Sequence, residues 1–118
     1  MTRTLLRLEG AGLLLAAVII YAASGLNWWL FAILLLVPDV SMLGYMSGPR
    51  VGAHLYNAFH TTVWGLALAV AGYAFTAELP LSIGLIWLAH VGMDRALGYG
   101  LKEASSFQDT HLGRIGKD

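Results

Sequence analysis

Charge is too scarce, and too unevenly placed, for this chain to fold in water. Four stretches, about 5–23, 28–46, 51–75 and 81–100, are dominated by apolar residues. Each is close to the roughly 20 helical residues that cross a hydrocarbon core. Only 12% of the 118 residues are charged while 58% are apolar, and a soluble domain carries about 25% charged residues. A small domain has a large surface to cover with polar groups, and these residues cannot cover it. The sequence therefore reads as all-α: an integral membrane four-helix bundle over residues 1–102, followed by a short polar cytoplasmic tail at 103–118.

Turn chemistry separates the stretches. Ser24-Gly25-Leu26-Asn27 closes the first, and Trp28-Trp29 open the second as an interfacial aromatic belt. Ser47-Gly48-Pro49-Arg50 breaks the second from the third, and Glu78-Leu79-Pro80 precedes the fourth, with Pro80 suited to a first helical turn. Arg3, Arg7 and the small residues Ala22-Ala23-Ser24 also allow a cleaved signal peptide. Glu9 and the three later spans favour a retained helix. Arg3 precedes the first span and Arg7 lies in its first turn, Arg50 lies between the second and third, and Arg95, Lys102, Arg114 and Lys117 close the chain. The other two loops contain no Lys or Arg, so the positive-inside rule places both termini in the cytoplasm. The expected location is a bacterial inner (cytoplasmic) membrane, with lipids as the surrounding partners. The formal net charge is zero, so nothing marks nucleic acid as a partner. The absence of cysteine excludes disulfides, thiolate metal sites and a cysteine nucleophile.

Ionisable residues at membrane depth are costly and mark functional sites. Glu9 is on the first helix, Asp39 on the second, His54, Asn57 and His60 on the third, and His90, Asp94 and Arg95 on the fourth. With a rise of about 1.5 Å per residue, Asp39, His60, His90 and Asp94 fall about 9–15 Å from the cytoplasmic ends of their helices. They share one slab, and the opposite half of every helix is almost purely apolar. His90 and Asp94, four apart, share a helix face. Pro38 predicts a kink before Asp39 and frees the carbonyl of Leu34.

Carboxylates and imidazoles from several helices resemble the inward-facing ligands of metal-binding four-helix bundles. Asp39, His60, His90 and Asp94 are the expected ligands. Without sulfur, the set suits zinc, manganese or iron. Glu9 and Arg95 are candidate catalytic groups, and Tyr45, His54, Asn57 and His111 are candidates for the surrounding layer. Structural readings stand beside these. Glu9 could pair with an arginine, His54 could be solvated near the interface, and Asn57 could bond between helices. Arg95 could snorkel, and His111 could be a solvated tail residue. Trp28, Trp29, Trp64 and Trp87 read as belt and lipid contacts.

Pro38-Asp39 in an apolar helix, His60-Thr61-Thr62 on the next and His90-Val-Gly-Met-Asp94 on the last resemble the YdjM-like membrane-bound metal-dependent hydrolases. That resemblance implies hydrolysis of lipid-like or phosphoester substrates, with those four residues at the metal positions. Glu9 stands where that family has an early His, and Val40-Ser41-Met42 follow where it commonly has a second ligand. The chain as a whole is similar to small bacterial four-helix membrane proteins of unknown function, through Gly98-Tyr99-Gly100-Leu101-Lys102 and Thr110-His111-Leu112-Gly113.

The leading expectation is a metal-dependent hydrolase reached from the cytoplasmic side, with Glu9 as base or further ligand and Arg95 holding an anionic group. A proton-coupled transporter or exporter using Glu9 is the alternative, together with a metal or haem redox protein. The chain has no Cys-x-x-Cys-His for covalent haem. A bundle this small buries little surface alone, which also admits a homodimer.

Overall fold

The computed structural model describes residues 2–98, 109–110 and 113–114. Residues 1, 99–108, 111–112 and 115–118, which include His111 and most of the expected tail, lie outside the described residues. Five α-helices and one long 3-10 segment make up the bundle. They are α1 (Thr2–Ala23), α2 (Trp28–Leu34), the 3-10 segment (Val37–Ser47), α3 (Pro49–His60), α4 (Thr62–Ala74) and α5 (Glu78–Ala96). Asp109–Thr110 (β1) and Gly113–Arg114 (β2) pair as a minimal antiparallel ladder.

Helix α5 is the hub, because α1 and α4 both pack against it. Its buried residues include Ser82, Gly84, Leu85, Ile86, Leu88, Ala89, His90, Val91, Gly92 and Asp94. Both neighbours run antiparallel to α5, and small residues set the approach. A Cβ at Gly84 would collide with the main chain of Ala69 and the Gly65 carbonyl on α4. One at Gly92 would collide with Leu14 and the Gly10 carbonyl on α1. Bare backbone at these points lets three helices close to van der Waals contact, as small residues do between membrane helices. Away from the site, Ala17, Tyr21, Leu26, Ala69, Leu85, Ile86, Leu88 and Ala89 form the apolar core. Asn27 starts α2 by accepting from the N–H groups of Trp29 and Leu30, an N-cap that satisfies otherwise orphaned donors.

Two of the four expected helices are interrupted. Pro38 has no N–H to give Leu34, so the α-helix stops at Leu34 and the chain continues as 3-10, with Asp39 N–H on the Leu36 carbonyl at 3.1 Å. Eleven residues of 3-10 helix are unusual, since such runs seldom exceed three or four. This stretch is held by packing antiparallel on α3. The expected single helix over 51–75 is two helices, because Thr61 is extended (φ −84°, ψ 155°) and separates α3 from α4. The fourth helix begins at Glu78 and ends at Ala96, followed by Gly98 in a left-handed conformation (φ 91°), a frequent helix stop. Arg7 Nε donates to the Ala96 carbonyl at 3.0 Å, placing positive charge where the α5 dipole is negative. Two continuous segments, Thr2–Ala23 and Trp28–Ser47, are long and apolar enough to cross a membrane.

The close approach at Gly84 makes a sharp prediction. Gly84→Ala should lose about 1–3 kcal/mol of stability by overpacking. Gly12→Ala, with open space around it, should change stability by no more than about 0.5 kcal/mol. Denaturation of the detergent-solubilised protein measures both, and equal effects would contradict this packing.

Candidate metal centre

Asp39, His60, His90 and Asp94 come together at one point, from three elements. Pro38 places Asp39 on the first turn of the 3-10 segment. His60 is the last residue of α3, and His90 and Asp94 face inward from α5 at i, i+4. His60 Nε2 lies 3.0 Å from Asp39 Oδ1, 3.4 Å from Asp94 Oδ2 and 3.1 Å from His90 Nε2. His90 Nε2 lies 3.2 Å from Asp39 Oδ1 and 3.2 Å from Asp94 Oδ2. One donor atom from each residue lies within 4.8 Å of all the others.

These separations fit hydrogen bonds among the side chains, and they also fit a shared cation. A cation at the centre serves all four donors at once. A tetrahedral zinc with bonds of about 2.0 Å requires donor–donor edges of about 3.3 Å, and five of the six edges here span 3.0–3.4 Å. A metal also offsets two carboxylates in a low-dielectric interior. The side chains of His60 and His90 are 0% exposed and Asp94 7%, while Asp39 is 35% exposed. Access to the centre therefore runs past Asp39.

The surroundings orient the donors. His60 Nδ1 lies 2.8 Å from the Tyr56 carbonyl, which only an N–H can satisfy. The proton therefore sits on Nδ1, and the Nε2 lone pair faces the centre, as metal-bound histidines are commonly held. The Tyr56 ring stacks on His60 with centroids 3.7 Å apart and planes 5° from parallel. The Tyr56 hydroxyl reaches Asp94 Oδ2 at 3.5 Å. His90 Nδ1 is buried without a hydrogen bond of full geometry, and the main chain of Leu35 is its weak polar neighbour. The Leu35 carbonyl is open because its α-helical partner, the Asp39 N–H, has turned to Leu36.

The break at Thr61 leaves α3 carbonyls without helical partners, and α5 supplies donors. Trp87 Nε1 donates to the Phe59 carbonyl at 2.6 Å, and Arg95 Nη2 to the His60 carbonyl at 3.1 Å. Arg95 thus clamps the backbone of a ligand, where the sequence suggested substrate binding or snorkelling. Trp87, read from the sequence as a belt residue, is half-buried and ties α5 to α3.

Other sequence candidates are elsewhere. Glu9 is exposed on α1, because the neighbouring Gly10 turns toward Arg95 and Ala96. His54 is exposed on α3. Tyr45 packs its ring against Gly52. Asn57 is half-buried in the last turn of α3, where its carbonyl accepts from Thr61 N–H. His111 lies outside the described residues. Tyr56 was missed from the sequence, although its spacing of four from His60 places both on one face.

The sequence pattern of a domain of unknown function, DUF4260, matches residues 3–115. The chain belongs to the DUF4260 family. No curated protein matches it, and neither does any solved structure. The family description carries no activity, so the chemistry of this DUF4260 chain must be read from its own residues.

Removing a donor should remove the metal. His60→Ala, His90→Ala and Asp94→Asn should each lose bound metal in elemental analysis of the purified protein, while His54→Ala and Glu9→Gln keep it. Trp87→Phe and Tyr56→Phe, acting through neighbours, should weaken metal affinity by about 10–100-fold. Full retention in the donor variants would contradict the assignment.

Proposed function

We propose that this chain is an integral protein of the bacterial cytoplasmic membrane that holds one zinc ion and uses it to hydrolyse a lipid-like ester or phosphoester. Membrane insertion is supported by the outward faces of its two long apolar segments. Their most apolar windows are only 17% and 11% buried within the fold, whereas the core helix of a soluble protein is mostly covered. Leu5, Leu8, Leu15, Ile19, Trp29 and Ile33 all face outward, and hydrocarbon is the solvent that suits them. Helix α1 packs tightly on α5 through Gly92, which supports a retained helix over a removable leader. The basic residues favour both chain ends on the cytoplasmic side.

The observation that carries the catalytic reading is four converging nitrogen and oxygen donors with one partly exposed member. Catalytic zinc keeps a position for water beside its protein ligands, and the partly exposed Asp39 marks the side on which a water would join the four donors as a fifth ligand. A zinc ion held by Asp39, His60, His90 and Asp94 would lower the pKa of a water bound beside it and polarise an ester or phosphoryl oxygen, the chemistry needed to hydrolyse an ester C–O or P–O bond to an acid and an alcohol. Tyr56 and Arg95 keep the donors aligned. The motifs Pro38-Asp39, His60-Thr61-Thr62 and His90-x-x-x-Asp94 support the same reading by their similarity to the YdjM-like hydrolases.

The test is turnover by the protein reconstituted in vesicles that contain ester-linked and phosphodiester-linked lipids. The zinc-loaded protein should release product, chelation should bring release to background, and added zinc should restore it. Asp94→Asn should stay at background throughout. A zinc-loaded, folded protein that turns over neither lipid class would contradict the hydrolase reading.

A further inference from the structure

Three chemically distinct zones follow one another along α5. At its C-terminal end are two arginines, Arg7 on the Ala96 carbonyl and Arg95 on the His60 carbonyl. Within the two turns before that end, Asp94 and His90 present candidate metal donors. About 6 and 10 Å beyond His90 along the helix, Ile86 and Ile83 line a half-open apolar cavity of about 230 Å³ together with Leu34, Pro38, Phe59 and Trp87.

Residues that line the cavity are chain neighbours of the metal donors. Pro38 precedes Asp39, Phe59 precedes His60, and Ile86 is one turn before His90. The walls are hydrocarbon, with Phe59 and Trp87 stacked as one flat side, centroids 5.8 Å apart. The polar group of that wall, the Trp87 indole N–H, is already bonded to Phe59 O. A polar occupant would lose its hydrogen bonds to water and gain none, but an alkyl chain loses nothing.

We infer that this cavity takes the acyl chain of an anionic amphiphile whose linkage group lies at the metal donors and whose head meets the arginines. This rests on the proposed metal-dependent function and names its substrate class. Cation, metal, apolar cavity is the order head, linkage, tail of a lipid in one leaflet, so a substrate would reach the centre without inverting. The cavity is small beside the roughly 300–1,000 Å³ of drug-sized pockets, and it has room for one chain only.

Native mass spectrometry of the zinc-loaded full chain, released from detergent, tests this with three probes. These are palmitoyl lysophosphatidylglycerol, palmitoyl lysophosphatidylcholine and tail-less glycerophosphoglycerol. Ile83→Trp and Leu34→Phe fill the cavity without altering a metal donor, and zinc is measured on the same samples. The wild-type chain should retain one anionic lysolipid, more of it than of the choline lipid, and none of the tail-less probe. Each filled variant should retain about tenfold less, a change of about 1.4 kcal/mol, with zinc unchanged. Undiminished retention in both variants would overturn the inference, and so would equal retention of the tail-less probe. Absence of zinc from the wild-type protein would overturn the metal reading alone, because lipid retention is scored separately.

Discussion

Two imidazole nitrogens and two carboxylate oxygens are aimed at one point inside an apolar bundle, and the rest of the fold is arranged around that convergence. Left as charges in a low-dielectric interior, such groups would cost several kcal/mol each. Their separations match the edges of a tetrahedron around a small cation, and a cation at its centre turns that cost into binding. His60 Nδ1 on the Tyr56 carbonyl, the Tyr56 stack and the Arg95 clamp all hold donor atoms in place before a metal arrives. Preorganisation of this kind separates a site from a chance cluster of acids.

The two helix interruptions serve the same end. Pro38 ends α2 and turns Asp39 inward at the start of a 3-10 segment, and it also opens the Leu35 carbonyl beside His90. Thr61 ends α3 at His60, so that the ligand sits on the last turn with its own carbonyl free for Arg95. Irregular backbone inside an apolar bundle needs protein groups to satisfy the polar groups it frees. Trp87 and Arg95 satisfy the break at Thr61, and the apolar cavity lies beside the break at Pro38.

Much of this was legible in the sequence, for identifiable reasons. Long charge-free stretches fix helical segments, and Pro38 announces its own kink. The spacing of His90 and Asp94 puts both on one face, and depth along the helices gathers the four ligands into one slab. Depth does not give rotation about the axis, so where Glu9 points had to come from the packing of α1. The inward stripe of α1 is Gly10, Ala17 and Tyr21, and Glu9 falls outside it. The break at Thr61 has no Pro or Gly beside it to announce it. Its stabilising bonds come from residues 28 and 35 positions away from their acceptors, beyond any local reading. The bonds of Arg95 and Trp87 were invisible for the same reason, since their partners are backbone carbonyls that only the break makes available.

X-ray absorption at the zinc edge, on wild-type protein loaded with one equivalent of zinc, tests the central claim most directly. Four light-atom neighbours at about 2.0 Å are expected, with the outer-shell scattering of two imidazole rings. A six-oxygen hydrated shell without imidazole scattering, or a folded protein that retains no zinc, would contradict it.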